Sequence, residues 1–177
     1  SRVDELRRRV EELLKRSKEL LEEIKRRDEE VLRRIKELLD RLRERVDDAL
    51  RKISELLTRE RSEEVARRIR ELLKEIEDDV RRVKKEIEDL SEDSKRKAEE
   101  LLRRNEELVK RIDEEVKRIN VDEEVVREIK KKLTESREDT KRLLEELKKT
   151  NDDIRKDVER LRREVEKKVR DIERRVK

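Results

Sequence analysis

Six side chains with chemical potential interrupt long stripes of Leu, Ile and Val at places where an apolar residue is due. They are Ser17, Asp28, Ser94, Asn105, Thr140 and Asn151. A carboxylate near serine and asparagine is a weak imitation of a hydrolase centre. The base is missing. The chain has no His and no Cys, and no Lys falls at these positions, so nothing would activate the serine. The same groups can instead satisfy one another as buried donors and acceptors, and such networks fix register and partner choice. We therefore expect no catalytic, cofactor-binding or metal residues and read the six as structural.

Other candidate chemistries fail on their surroundings. The acidic pairs Asp47 and Asp48, Asp78 and Asp79, and Asp152 and Asp153 lack the glycine-containing loops of calcium sites and read as a solvated face. Basic runs at 7–9 and 130–132 are interleaved with acids, and there is no aromatic residue to stack on a base, so no nucleic-acid partner is expected. Both charge signs share the polar faces, which disfavours a membrane-surface helix. No apolar run is long enough to span a bilayer or to act as a signal peptide. With no Cys there is no disulfide framework, and a net charge of +4, from 57 basic against 53 acidic residues, points to no particular partner.

The elements that must position the six residues are legible from periodicity. From Ser62 to Asn120 the apolar seam runs Val65, Ile69, Leu72, Ile76, Val80, Val83, Ile87, Leu90, Ser94, Ala98, Leu101, Asn105, Leu108, Ile112, Val116, Ile119. It repeats every 18 residues, as in Val80, Ala98 and Val116. Eighteen residues over five turns is the 3.6-residue period of a straight helix, whereas a strict heptad would impose a left-handed supercoil. The first segment carries the same repeat through Val10, Asp28 and Val46, with Ser1 as its expected cap. Its flanking residues Leu14, Leu21, Leu32, Leu39, Leu50 and Leu57 widen the stripe to face two neighbours. The third segment repeats through Leu133, Asn151 and Val169, its seam opening at Val126. The phase breaks at 58–61 and again near Asn120, which tolerates the left-handed conformation that ends helices. Ser62 and Asp122 stand as caps beyond the breaks. Residues 91–94 and 150–152 resemble turns, but the phase passes through both without a slip, so both are predicted to be helical.

This spacing predicts an all-α fold: an elongated, nearly straight antiparallel three-helix bundle, up-down-up, with helices of about 57 residues. The helices are expected at about 2–58, 62–120 and 122–177, forming one domain over 1–177. The polar positions then fall into register. Between segments one and two, indices summing to 122 oppose each other, as for Ser17 with Asn105 and Asp28 with Ser94. Between segments one and three an offset of 123 relates Ser17 to Thr140 and Asp28 to Asn151. Two layers are expected, Ser17–Asn105–Thr140 and Asp28–Ser94–Asn151.

The 18-residue repeat, equal segments, Gly-free loops, Leu/Ile/Val core, Glu/Lys/Arg surface and layered polar positions resemble de novo designed helical bundles. Within that class they are similar to parametrically generated, untwisted three-helix bundles with buried hydrogen-bond networks. Nine residue types are wholly absent, which separates the chain from a natural coiled-coil spacer. The resemblance covers the whole chain. It implies no enzymatic activity, no cofactor and no native organism or compartment, only a soluble protein in an expression host. The expected function is a hyperstable, monomeric structural scaffold that requires no partner. The alternative is a designed interaction component that binds a helix or self-associates through residual apolar surface, with Leu14, Leu21, Leu32 and Leu39 as its feature.

Overall fold

The structure, a computed structural model, describes residues 2–59, 62–120 and 122–176. The expected cap at Ser1, residues 60 and 61 of the first loop and Val121 lie outside the described residues, as does the side chain of Val176. The chain forms three helices: α1 (Arg2–Leu57), α2 (Glu63–Arg118) and α3 (Glu123–Val176). Their sequences are filled with good helix formers, and neither Gly nor Pro interrupts them. Both turn-like stretches, 91–94 in α2 and 150–152 in α3, are continuous helix. Continuity of the apolar phase outweighs local turn chemistry there, because a break would cost the packing of every later seam residue.

The ends explain where each helix stops. Thr58 donates its hydroxyl to the Glu55 carbonyl at 2.7 Å, and the N–H groups of Thr58 and Arg59 reach back three residues, at 3.3 and 3.2 Å. That tightened turn satisfies carbonyls left over at the end of α1. Ser62 then accepts the Val65 N–H on its hydroxyl at 3.2 Å, while its carbonyl takes the first helical bond from Ala66. Glu63 and Glu64 complement the positive end of the α2 dipole, as Lys117 and Arg118 do its negative end. The Asp122 carbonyl accepts from Val125 and Val126 to start α3. No described residue has a positive φ, so Asn120 does not adopt the left-handed conformation that its type tolerates.

The contacts gather into two compact units. The first takes Ser1–Glu30 and Glu92–Thr150, the second Val31–Ser91 and Asn151–Lys177. Each contains a stretch of all three helices. In the first, Leu6, Val10, Ile112, Val125, Ile129 and Leu133 form one buried cluster, and Ile24, Leu101 and Leu143 form another. Arg9 pairs with Glu115 and Ser17 with Asn105, so α1 and α2 run antiparallel here, while Arg7 pairs with Glu128 and Glu11 with Lys132, so α1 and α3 run parallel. In the second, sixteen buried residues from Ile35 to Ile172 form a single cluster among the described residues. Leu39 and Leu42 of α1 meet Val80 and Val83 of α2 and Val158 and Leu161 of α3 around a residual void of about 10 Å³. Each such side chain, fully buried, contributes roughly 1.5–3 kcal/mol before the cost of ordering it.

Two placements differ from the seam as read. At the start of α3 it is Val125, 5% exposed, that enters the core, with Val126 only half-buried beside it. In α2, Leu73 joins Leu72 in the buried core. Both are neighbours of a seam residue, and a small rotation of the helix about its axis decides which one turns inward.

Candidate functional site

Ser17 and Asn105 are the buried polar residues of the described chain, at 1% and 3% exposure. They are brought together from α1 and α2 within the first unit. The Ser17 hydroxyl donates to Asn105 Oδ1. Asn105 Nδ2 donates to Thr140 Oγ1 at 3.4 Å, and Thr140 donates its own hydrogen to the Ser136 carbonyl at 2.9 Å, one turn back on α3. The Ser17 and Ser136 hydroxyls are 3.4 Å apart. A hydroxyl has one hydrogen, and that of Ser17 is committed to Asn105, so Ser136 is the donor in this contact. The result is a closed, directional ring: Ser136 to Ser17, Ser17 to Asn105, Asn105 to Thr140, Thr140 to the backbone of Ser136.

Ser136 is the member that the sequence reading missed. Its signal was present: it lies on the α3 seam, four residues before Thr140, on the same face. The α1–α3 offset expected from phase is 123, and Val10 and Leu133 at that offset share one buried cluster; Ser17 touches Ser136 at an offset of 119 and Arg7 reaches Glu128 at 121. Ser17 faces the α3 turn that runs from Ser136 to Thr140 and touches its Ser136 end directly. Ser17 reaches Thr140 through Asn105.

The second expected layer is Asp28, Ser94 and Asn151. Asp28 and Ser94 belong to the first unit and Asn151 to the second, and each is half-buried. No hydrogen bond joins Asp28 to Ser94 among the described residues. Burial pushes the Asp28 carboxyl above its ordinary value of 3.8, and the adjacent Glu29 charge adds to the rise.

The ring cannot activate a nucleophile. The group that receives the Ser17 proton is an amide oxygen, which is a poor base, and no imidazole, thiol or amine belongs to the ring. Around it the surface is laced with charge. Arg9 pairs with Glu115 at 3.1 Å and Arg137 with Asp113 at 3.7 Å, and Arg7 and Lys132 reach Glu128 and Glu11 at 3.3 and 3.8 Å. A groove of about 210 Å³ between α1 and α2 of this unit is lined by arginines and glutamates together, so it presents charge of both signs. In the second unit Arg162 Nε is buried without a hydrogen bond, 3.5 Å from Glu166 Oε1. Arg162 lines the residual void together with Val158 and Leu161, so the arginine serves as cover for the core. Among the described residues no helix is long and apolar enough to cross a membrane.

No protein-family model matches the chain, and no curated protein does. Among solved structures it is similar to one described as a computationally designed three helix bundle. The identity is 17%, the alignment covers 99% of this chain and 81% of that one, and the TM-score is 0.38. That likeness is too loose to carry an argument about this chain.

Proposed function

We propose that this chain is a designed structural scaffold whose task is to hold three long helices in one register, without a chemical activity. The observation that carries the reading is the closed ring. Every hydroxyl hydrogen in it has an acceptor, and Asn105, the most demanding polar group, has its oxygen and one of its amide hydrogens engaged. A reactive centre leaves at least one group poised toward a ligand. This ring turns each group toward another, as a register device does. The 18-residue phase, the absence of nine residue types and the nearly equal helix lengths of 56, 56 and 54 residues support a designed, untwisted origin.

A second reading, an interaction component, is favoured by Leu144, which is 46% exposed, and by the half-buried Leu14, Leu21, Leu32 and Leu39 of α1. Multi-angle light scattering across a hundredfold range of concentration separates the two. The scaffold reading expects the monomer mass of 21.9 kDa throughout. A mass that doubles with concentration, and reverts in Leu144→Glu, would replace it with self-association.

A further inference from the structure

We infer that the first unit is the separately opening part of this molecule: under native conditions segments 1–30 and 92–150 unfold together while 31–91 and 151–177 remain folded. The two units are nearly equal in length, so their cores compare like with like. Among the described residues the first holds nine fully buried apolar residues in two clusters, and the second holds sixteen in one. The interruption has a definite place. On α1 the buried residue between Val10 and Ile24 is Ser17, and on α2 the one between Leu101 and Ile112 is Asn105. On α3 no residue between Leu133 and Leu143 is fully buried, and the half-buried Ser136 and Thr140 stand there. Apolar burial sets most of the free energy of a local opening, and buried hydrogen bonds exchange for bonds to water at small net gain.

The remaining ties point the same way. Ion pairs between helices in the first unit, such as Arg7 with Glu128 and Arg9 with Glu115, are solvent-exposed and contribute little. The strength of the second unit is instead its continuous core, since among the described residues its ion pairs lie within single helices, as for Arg34 with Glu37 and Arg82 with Asp79. Opening the first unit leaves residues 92–150 as a loop of 59 residues on the second. The entropy of closing a loop rises only with the logarithm of its length, so the second unit tolerates that loop.

Native-state hydrogen exchange on the full chain, read by mass spectrometry in rising sub-denaturing urea, tests this. Amides of 1–30 and 92–150 should exchange in one shared step, on the order of 100-fold faster than those of 31–91 and 151–177. Ile112→Ala should speed the first step and leave the second unchanged, and Ile112→Val does the same more gently if the alanine variant folds poorly. A single step shared by all three helices, graded fraying from the chain and loop ends, or earlier opening of the second unit would each overturn the inference.

Discussion

Asp28 shows how a single side chain acts through protonation. Its folded carboxyl is raised above 3.8, first by burial and then by Glu29. The folded chain therefore holds that proton more tightly than the unfolded chain does. The stabilisation is present below the unfolded value and is lost as pH rises through the folded one. Asp28→Asn removes the charge and keeps the shape. At pH 7 it should be neutral or stabilising by less than about 1 kcal/mol, because a half-buried carboxylate is well screened. The difference should vanish below pH 3.8. Urea unfolding at the two pH values decides it, and a loss of several kcal/mol at pH 7 would mean a solvated or paired carboxylate. In the ring, Ser17→Ala strips Asn105 Oδ1 of its donor and should cost about 1–3 kcal/mol. Adding Asn105→Leu removes the stranded amide, so the double variant should lose less than the sum of the single losses. Strict additivity would show that the two side chains act independently.

At the scale of the helix, caps and phase carry separate weight. Ser62→Ala deprives the Val65 N–H of its acceptor and should cost about 0.5–2 kcal/mol, while Ser62→Asp should recover most of that loss. Thermal unfolding of the three proteins checks it, and equal stability of Ser62→Ala would place the cap elsewhere. The α2 helix shows why phase was the better guide. Residues 91–94 have the composition of a turn, yet Leu90 and Ala98 stay on the packed face, and the helix continues. The exchange of Val126 for Val125 at the start of α3 marks the limit of that guide. Two adjacent valines lie about 100° apart around a helix. Sequence phase places the stripe between them, and contact with Ile112 and Leu6 in the assembled core selects one.

For the whole molecule, charge is abundant and nearly balanced, and its residue is uneven. The segments of the first unit sum to zero net charge, so the +4 of the chain resides in 31–91 and 151–177. Well below the ordinary carboxyl range, the 53 acidic groups cease to offset the 57 basic ones. Self-repulsion then opposes the compact state. The urea midpoint should fall between pH 7 and pH 2 at low salt, and added salt at pH 2 should restore much of it, since screening shortens the reach of the repulsion. A midpoint indifferent to salt at pH 2 would show that the helices are too far apart, or too firmly packed, for charge to matter. Asp28 works in the opposite sense, but as one half-buried group among 53 acidic residues it cannot reverse the trend.

The sequence by itself determined what depends on neighbours along the chain. Helix propensity and a 3.6-residue period are local, so the spans of α1, α2 and α3 and the two places where phase breaks were legible without a fold. The facing of Ser17 and Asn105 was legible as well, because one short loop at 58–62 ties the register of α1 to that of α2. Only the tertiary structure decided the rest. The register of α3 against α1 is transmitted through two loops and a third helix, and only the packed helices decided that Ser17 meets Ser136 directly and Thr140 through Asn105. Whether Asp28, Ser94 and Asn151 bury fully is a matter of how closely the helices approach, and spacing along a chain does not encode that distance. The unequal sharing of fully buried side chains between the two units follows from the same cause: the apolar stripe is nearly uniform, but burial is set by what stands opposite it.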